Sequence, residues 1–261
     1  MRGLLNDTVS ELFDRKMIWV YAVLSALAIL VTFGARAVEI SIQGQNLDLT
    51  EMGEVLAQSA ARGLSVFLYI LVFFTVLGTA GVIPSMFIRG RADYFLSKPI
   101  SRPALLLYKV ISIWLVYSAV LSVAFLLEAI AIGAAFGHFD IRLFWLPVVY
   151  SLTLLVWLSV TSLAGIWFGS GAMSLIAAFV VWLLQYLLSF HEWVAQLTRS
   201  KTIVLIVDML YNIVPKTGQM SDMALALAVG GSIEWLPLWS SLLFAVAALV
   251  VTVAVFRRKE Y

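Results

Sequence analysis

Residues 88–109 read IRGRADYFLSKPISRPALLLYK. Arg89, Arg91, Lys98, Arg102 and Lys109 make this the most basic part of an oily chain, and a long apolar run lies on either side of it. Pro99 and Pro103 bracket its end. Each proline removes a backbone donor and pushes the residue before it out of the helical region, so a helix begun near Gly90 stops here and a new one starts. That new helix runs without a charge from 110 to 127. A charged turn between two runs long enough to cross a bilayer is the pattern of a polytopic membrane protein with its loop at the water interface.

Composition agrees with that pattern. Hydrophobic residues make up 62% of the 261 and charged residues 12%, more apolar surface than a soluble fold of this length can cover. The apolar blocks run about 17 to 27 residues, whereas a barrel strand needs only about 10 in alternation, so the spans are helices. The expected fold is an all-α integral membrane protein of six transmembrane helices in one domain. The spans fall at about 17–33, 63–86, 104–136, 143–168, 172–190 and 236–256, with a short interfacial helix over 1–16 and polar outer segments over 34–62, a loop with turn formers at 43–46 and a short helix from Thr50, and over 191–235. There is no cysteine, so disulfides and thiolate chemistry are excluded. The net charge of +2 gives no nucleic-acid signal.

Thr8 and Glu11 stand in capping-box spacing, with Leu5, Val9, Leu12 and Phe13 at helical intervals. This describes either an amphipathic helix in the interface or a charged flank that orients the first span. Ala35-Arg36-Ala37 mimics a signal-peptidase site, but Asp7, Glu11 and Asp14 precede the apolar run, so 17–33 is expected to be a retained span. Thr75, Gly78, Thr79, Gly81 and Pro84 predict a kink at the inner end of the second span. The apolar piece 202–214 is too short to cross, so the 191–235 segment is expected to form outer helices or a re-entrant hairpin, punctuated by Pro215, Gly218 and Ser221-Asp222. With the N-terminus inside, Arg2, Arg15, Lys16, the basic stretch and Arg257-Arg258-Lys259 are cytoplasmic, which places both termini in the cytoplasm.

Nucleotide-binding, zinc-protease and serine-hydrolase motifs are absent from the sequence. If ATP is used, another polypeptide binds it. The basic stretch, with Tyr94, Phe95 and Leu96 among its charges, reads as a docking site for a cytoplasmic protein or as topology charges against anionic head groups. Glu128 is the one carboxylate deep in an apolar run, either paired or solvated near the outer edge or serving as a gate or proton-coupling group. Thr75, Thr79, Gln185 and Ser189 are the candidate pathway residues, although a Thr75/Thr79 pair one turn apart also reads as bonding to its own helix. Gly165, Gly169 and Gly171 read as close helix packing. His138 and His191 are expected at outer helix ends without metal-ligand company, and Trp145, Trp193, Trp235 and Trp239 as an outer aromatic belt.

Asp93-Tyr94-Phe95-Leu96-Ser97-Lys98-Pro99-Ile100-Ser101-Arg102, ending at Lys109, resembles the signature between spans two and three in permease subunits of type-2 ABC exporters. The branch most similar contains the nitrous-oxide-reductase maturation permeases. Ser162-Leu163-Ala164-Gly165 through Gly171, Trp182-Leu183 and Tyr211-Asn212-Ile213-Val214-Pro215 stand where that family has comparable residues, while Tyr108 replaces its usual glycine. The resemblance implies a dimer of six-span subunits, homomeric or heteromeric, in the cytoplasmic membrane of a bacterium or archaeon. Each subunit would hold a cytoplasmic ATPase, carrying the ATP and Mg, through Arg89, Arg91, Asp93, Tyr94, Leu96, Lys98 and Arg102. It implies no catalysis by this chain, no bound cofactor or metal, and export of a hydrophobic or amphipathic substrate past spans two and five. The other reading is a membrane scaffold or sensor subunit that recruits a partner other than an ATPase.

Overall fold

The computed structural model describes residues 2–42, 49–86, 101–137, 140–191, 197–198 and 200–258; side-chain placement is described there except at 2–5, 35–42, 49–57 and 102. The described residues contain helices and no strand. In chain order the helices are α1 (Arg2–Asp14), α2 (Met17–Ile42), α3 (Leu49–Thr79), α4 (Val82–Ser85), α5 (Arg102–Phe136), α6 (Trp145–Phe168), α7 (Gly171–Leu188), α8 (Lys201–Ile213), α9 (Thr217–Val229) and α10 (Leu236–Arg258), with a 3₁₀ turn at Ile141–Phe144 before α6. Six segments are long and apolar enough to cross a membrane: Met17–Gly34, Gln58–Ser85, Pro103–Phe136, Ile141–Phe168, Gly171–Leu188 and Leu236–Arg258.

The fourth span, containing α6, lies at the centre. It is apolar on every side, 67% of its most apolar window is buried, and Leu146, Leu154, Val156 and Ile166 have no exposed surface. Helices α3, α5, α7, α9 and α10 pack around it. Its hydroxyls do not disturb that core, because Thr153 and Thr161 donate back to Val149 and Trp157 carbonyls of the same helix. The first and fifth spans lie at the periphery, with only 17% of their windows buried.

Two expectations change. The 34–62 segment is largely helical, since α2 continues to Ile42 and α3 starts at Leu49; both helices outrun the apolar stretch because the backbone satisfies itself there just as well in water. Thr8 is not a cap. It lies in the middle of α1, which begins at Arg2, and is buried. The helical reading of 191–235 holds: its described residues include two helices joined at Val214-Pro215-Lys216, and they differ in kind. Helix α8 buries no residue, whereas α9 sets Met220, Ala224 and Ala228, four apart, into the bundle against α3 and α6.

Candidate functional site

The expected docking residues Arg89, Arg91, Asp93, Tyr94, Leu96 and Lys98 lie outside the described residues, as does the side chain of Arg102. The two points from which that stretch leaves and to which it returns are described, and both are braced. At the return point Lys109 has no exposed surface, and its Nζ lies 2.5 Å from Asp7 Oδ2 and 2.8 Å from Glu11 Oε2. Asp7 and Glu11 are one turn apart on α1 and so share a face. Arg15 continues the same four-residue spacing, and its Nη1 donates to the Gly78 carbonyl at 3.2 Å. A cation at that place suits the carbonyls left unpaired at the C-terminal end of α3. Helix α1 is therefore a strap tying the end of α3, before the basic stretch, to the start of α5, after it. The 7, 11, 15 spacing puts the three charges on one face, but their partners Gly78 and Lys109 stand far along the chain.

Glycines hold the departure point. The helix breaks at Ala80-Gly81, as the kink reading requires, and resumes as α4. A Cβ on Gly171 would stand 2.8 Å from Gly81 Cα, and one on Gly165 would stand 2.8 Å from both Pro84 Cγ and Ser174 Oγ. Gly165 and Gly171 are thus places of close approach among α6, α7 and the kink. Gly169 differs from them. It ends α6 at φ +66° with nothing within 4 Å of a built Cβ, so its role is the left-handed turn and not packing.

The four expected pathway residues separate into two pairs. Thr75 and Thr79 are buried in the protein, donating to the Leu71 and Thr75 carbonyls at 2.7 Å, and Thr75 also meets the Tyr21 hydroxyl of α2. Thr75 thus joins α2 to α3, and Thr79 is taken up by its own helix. Glu128 is likewise buried against α2, its Oε1 accepting from Thr32 Oγ1 at 2.5 Å while its buried Oε2 has no hydrogen-bond partner among the described residues, so it is half paired and not solvated.

Gln185 and Ser189 come together at a cavity of about 370 Å³ near the opposite end of the bundle. Its walls include Tyr69 of α3, Trp182 and Tyr186 of α7, Tyr211 of α8, and Lys216 to Gln219 at the start of α9. Gln185 Oε1 accepts from Thr217 Oγ1 at 2.5 Å and from the Thr217 amide at 3.1 Å, which fastens α9 to α7. Trp182 Nε1 donates to Tyr69 at 3.1 Å, and Gln219 Nε2 donates to Tyr211 at 2.6 Å. Tyr211 is covered on its faces by His191, with ring centres 3.8 Å apart, and by Lys216 Nζ, 4.5 Å from its centroid. His191 thus packs on an aromatic ring; His138 and Trp193 lie outside the described residues. No group of metal-ligating side chains occurs among the described residues.

No protein-family model and no curated relative matches the chain. It is a multi-pass helical membrane protein. Among the described residues, Lys109 and Arg15 with α1 form one group of charges and Lys216 at the cavity stands apart from them.

Lys216 is only 6% exposed, and burial pulls its pKa below the ordinary value of 10.5. A lysine whose folded pKa is lowered binds fewer protons folded than unfolded, so its charge opposes folding. The penalty is complete below the folded pKa and fades as pH rises toward 10.5. Lys216→Met should therefore melt higher than wild type at pH 7, by an amount that shrinks as pH approaches the value of a free lysine. Melting curves of both proteins across that range check this; a constant difference would contradict it.

Proposed function

We propose that this chain is the permease subunit of an ATP-driven exporter of the type-2 ABC kind, moving a hydrophobic or amphipathic substrate across the cytoplasmic membrane. The observation that carries the reading is the strap: α1 holds both ends of the basic stretch through Arg15 to Gly78 and through Asp7 and Glu11 to Lys109. A loop that only oriented the bundle needs no such bracing. A loop that passes on the movement of a motor does, because force applied to an unbraced loop would bend it and leave the helices in place. The resemblance of this stretch to the exporter signature adds Arg91, Asp93, Tyr94 and Leu96 as the contacts with the ATPase, which holds ATP and Mg.

In this reading the chain itself catalyses nothing and works as a pair, with a second copy or a paralogue. Helix α7 supports the pairing through a ladder of exposed aromatic rings, Phe179, Trp182, Tyr186 and Phe190, at successive centroid distances of 5.9, 6.4 and 5.4 Å. Such a rigid face is suited to packing on a like face. Motor closure rocks the paired bundles and opens the space between them to alternate sides. Full reversal of a 1:99 equilibrium needs about 5.5 kcal/mol of bias, which a firm grip has to transmit.

Purification in mild detergent from the source cell tests this. A nucleotide-hydrolysing chain should elute with the permease in equal number. Elution of the permease with a partner that does not hydrolyse ATP would replace the exporter with a scaffold or sensor.

A further inference from the structure

Three donors converge on the outer cavity without an acceptor of their own. Lys216 is more than nine-tenths buried and lines the cavity, and its cation is held against the Tyr211 ring with no carboxylate within salt-bridge distance among the described residues. Gln185 Nε2 is buried with no hydrogen-bond partner, although the oxygen of the same amide is doubly engaged. The third is the start of α9, a helix of 13 residues. There the Thr217 amide is used by Gln185 and the Met220 amide by Lys216 O, which leaves Gly218 and Gln219 at the cavity wall in the first turn, where amides have no intrahelical acceptor. A Cβ at Gly218 would meet nothing within 4 Å, so the space in front of it is open. A buried cation, an unpaired amide nitrogen and the positive end of a helix are together what an anion requires.

We propose that this cavity binds the monoanionic head group of an amphiphile, a carboxylate or phosphodiester joined to an apolar body. The head sits between Lys216 Nζ, Gln185 Nε2 and the Gly218 and Gln219 amides. The apolar part lies against Trp182, Tyr186 and Leu188, on the helix whose outer face carries the exposed Leu184 and Leu187. Asp222, exposed and also on the cavity wall, limits the charge: a second negative group on the ligand would meet it, so a phosphomonoester is disfavoured. A volume of about 370 Å³ is at the small end of ligand cavities and holds a head group with the first part of a chain. The inference names the substrate class for the export reading, but the binding is measured without ATP or ATPase. Its failure would leave the coupling claim standing, and the reverse also holds.

The test is native mass spectrometry of the purified full chain in a neutral maltoside detergent, titrated separately with dioctanoyl phosphatidylglycerol, decanoate, dioctanoyl phosphatidylcholine and inorganic phosphate. The expected result is one phosphatidylglycerol or decanoate per chain, weakened about tenfold or more in Lys216→Gln and within about threefold of wild type in Lys216→Arg. Phosphatidylcholine should bind weakly and alike in all variants. Gly218→Asp guards against misfolding as the explanation. An acidic residue in the first turn favours the helix and meets open space, so this variant should melt no lower than wild type while losing the anion. Phosphatidylglycerol binding with decanoate excluded, or the converse, identifies the source of the head group within the proposal. Equal binding in Lys216→Gln and Gly218→Asp overturns it, and so does inorganic phosphate binding as tightly as the amphiphiles, since the apolar body would then contribute nothing.

Discussion

Lys109→Met should lower the stability of the chain by about 3–5 kcal/mol, the usual cost of removing one partner from a buried ion pair. Lys109 has no exposed surface and stands between two carboxylates. Without it Glu11, almost fully buried, loses the cation 2.8 Å from its Oε2, while Asp7, about a third exposed, can turn to water. The loss should therefore come mainly through Glu11. Adding Glu11→Leu and Asp7→Asn to Lys109→Met should recover most of the stability, since exchanging a whole buried ion cluster for apolar side chains is often neutral or better. Thermal melting in detergent separates the single variant from the triple one. If the single variant melts like wild type, Lys109 does not hold α1. The triple variant also divides two roles: it restores packing without restoring the charged strap, so an assembled bundle with weakened ATPase coupling is the expected outcome.

The second large effect is at Gly171. A Cβ there would stand 2.8 Å from Gly81 Cα and 3.3 Å from Gly81 N, and because both atoms are backbone no side-chain rotation relieves the contact. Gly171→Ala should cost about 1–3 kcal/mol as overpacking, and Gly171→Val more, because its two methyl groups stand at the same crowded position. The strain falls on the break between α3 and α4, where the chain departs for the basic stretch. Coupling should therefore fail along with stability. Gly169→Asn serves as the contrast. That position asks only for a left-handed backbone, which asparagine tolerates, and offers open space, so the melting temperature should stay close to wild type. Equal losses at Gly169 and Gly171 would show that the α6–α7 turn, and not its approach to Gly81, sets the cost.

The spans were legible because bilayer thickness imposes a length on apolar runs, and the kink because Gly81 and Pro84 interrupt one of them. Where a helix left the apolar core, hydropathy lost its extent: α2 past Gly34 read as loop, and the helix expected from Thr50 read as a short one apart from the second span, since Arg36, Glu39, Glu51 and Glu54 suit water whether or not they are helical. The strap and the cavity were harder for a different reason. Each joins residues far apart in the chain, Asp7 with Lys109 and Gln185 with Thr217, and no local spacing reports such a pairing. Polarity within a span singled out Gln185 and Ser189, which line the cavity. The same signal pointed at Thr75 and Thr79, whose hydroxyls are absorbed by their own helix; a threonine satisfies itself there, whereas the longer glutamine has to reach another element.

The central claim is that the stretch 88–109 receives the work of an ATPase and that α1 passes it to the bundle. The direct measurement is the ATP hydrolysis rate of the partner with and without the permease, in nanodiscs, for wild type and for Arg91→Glu combined with Tyr94→Ala. The account predicts that wild-type permease stimulates hydrolysis and that the double variant inserts and melts normally but gives no stimulation. Wild-type stimulation by that variant would contradict the account.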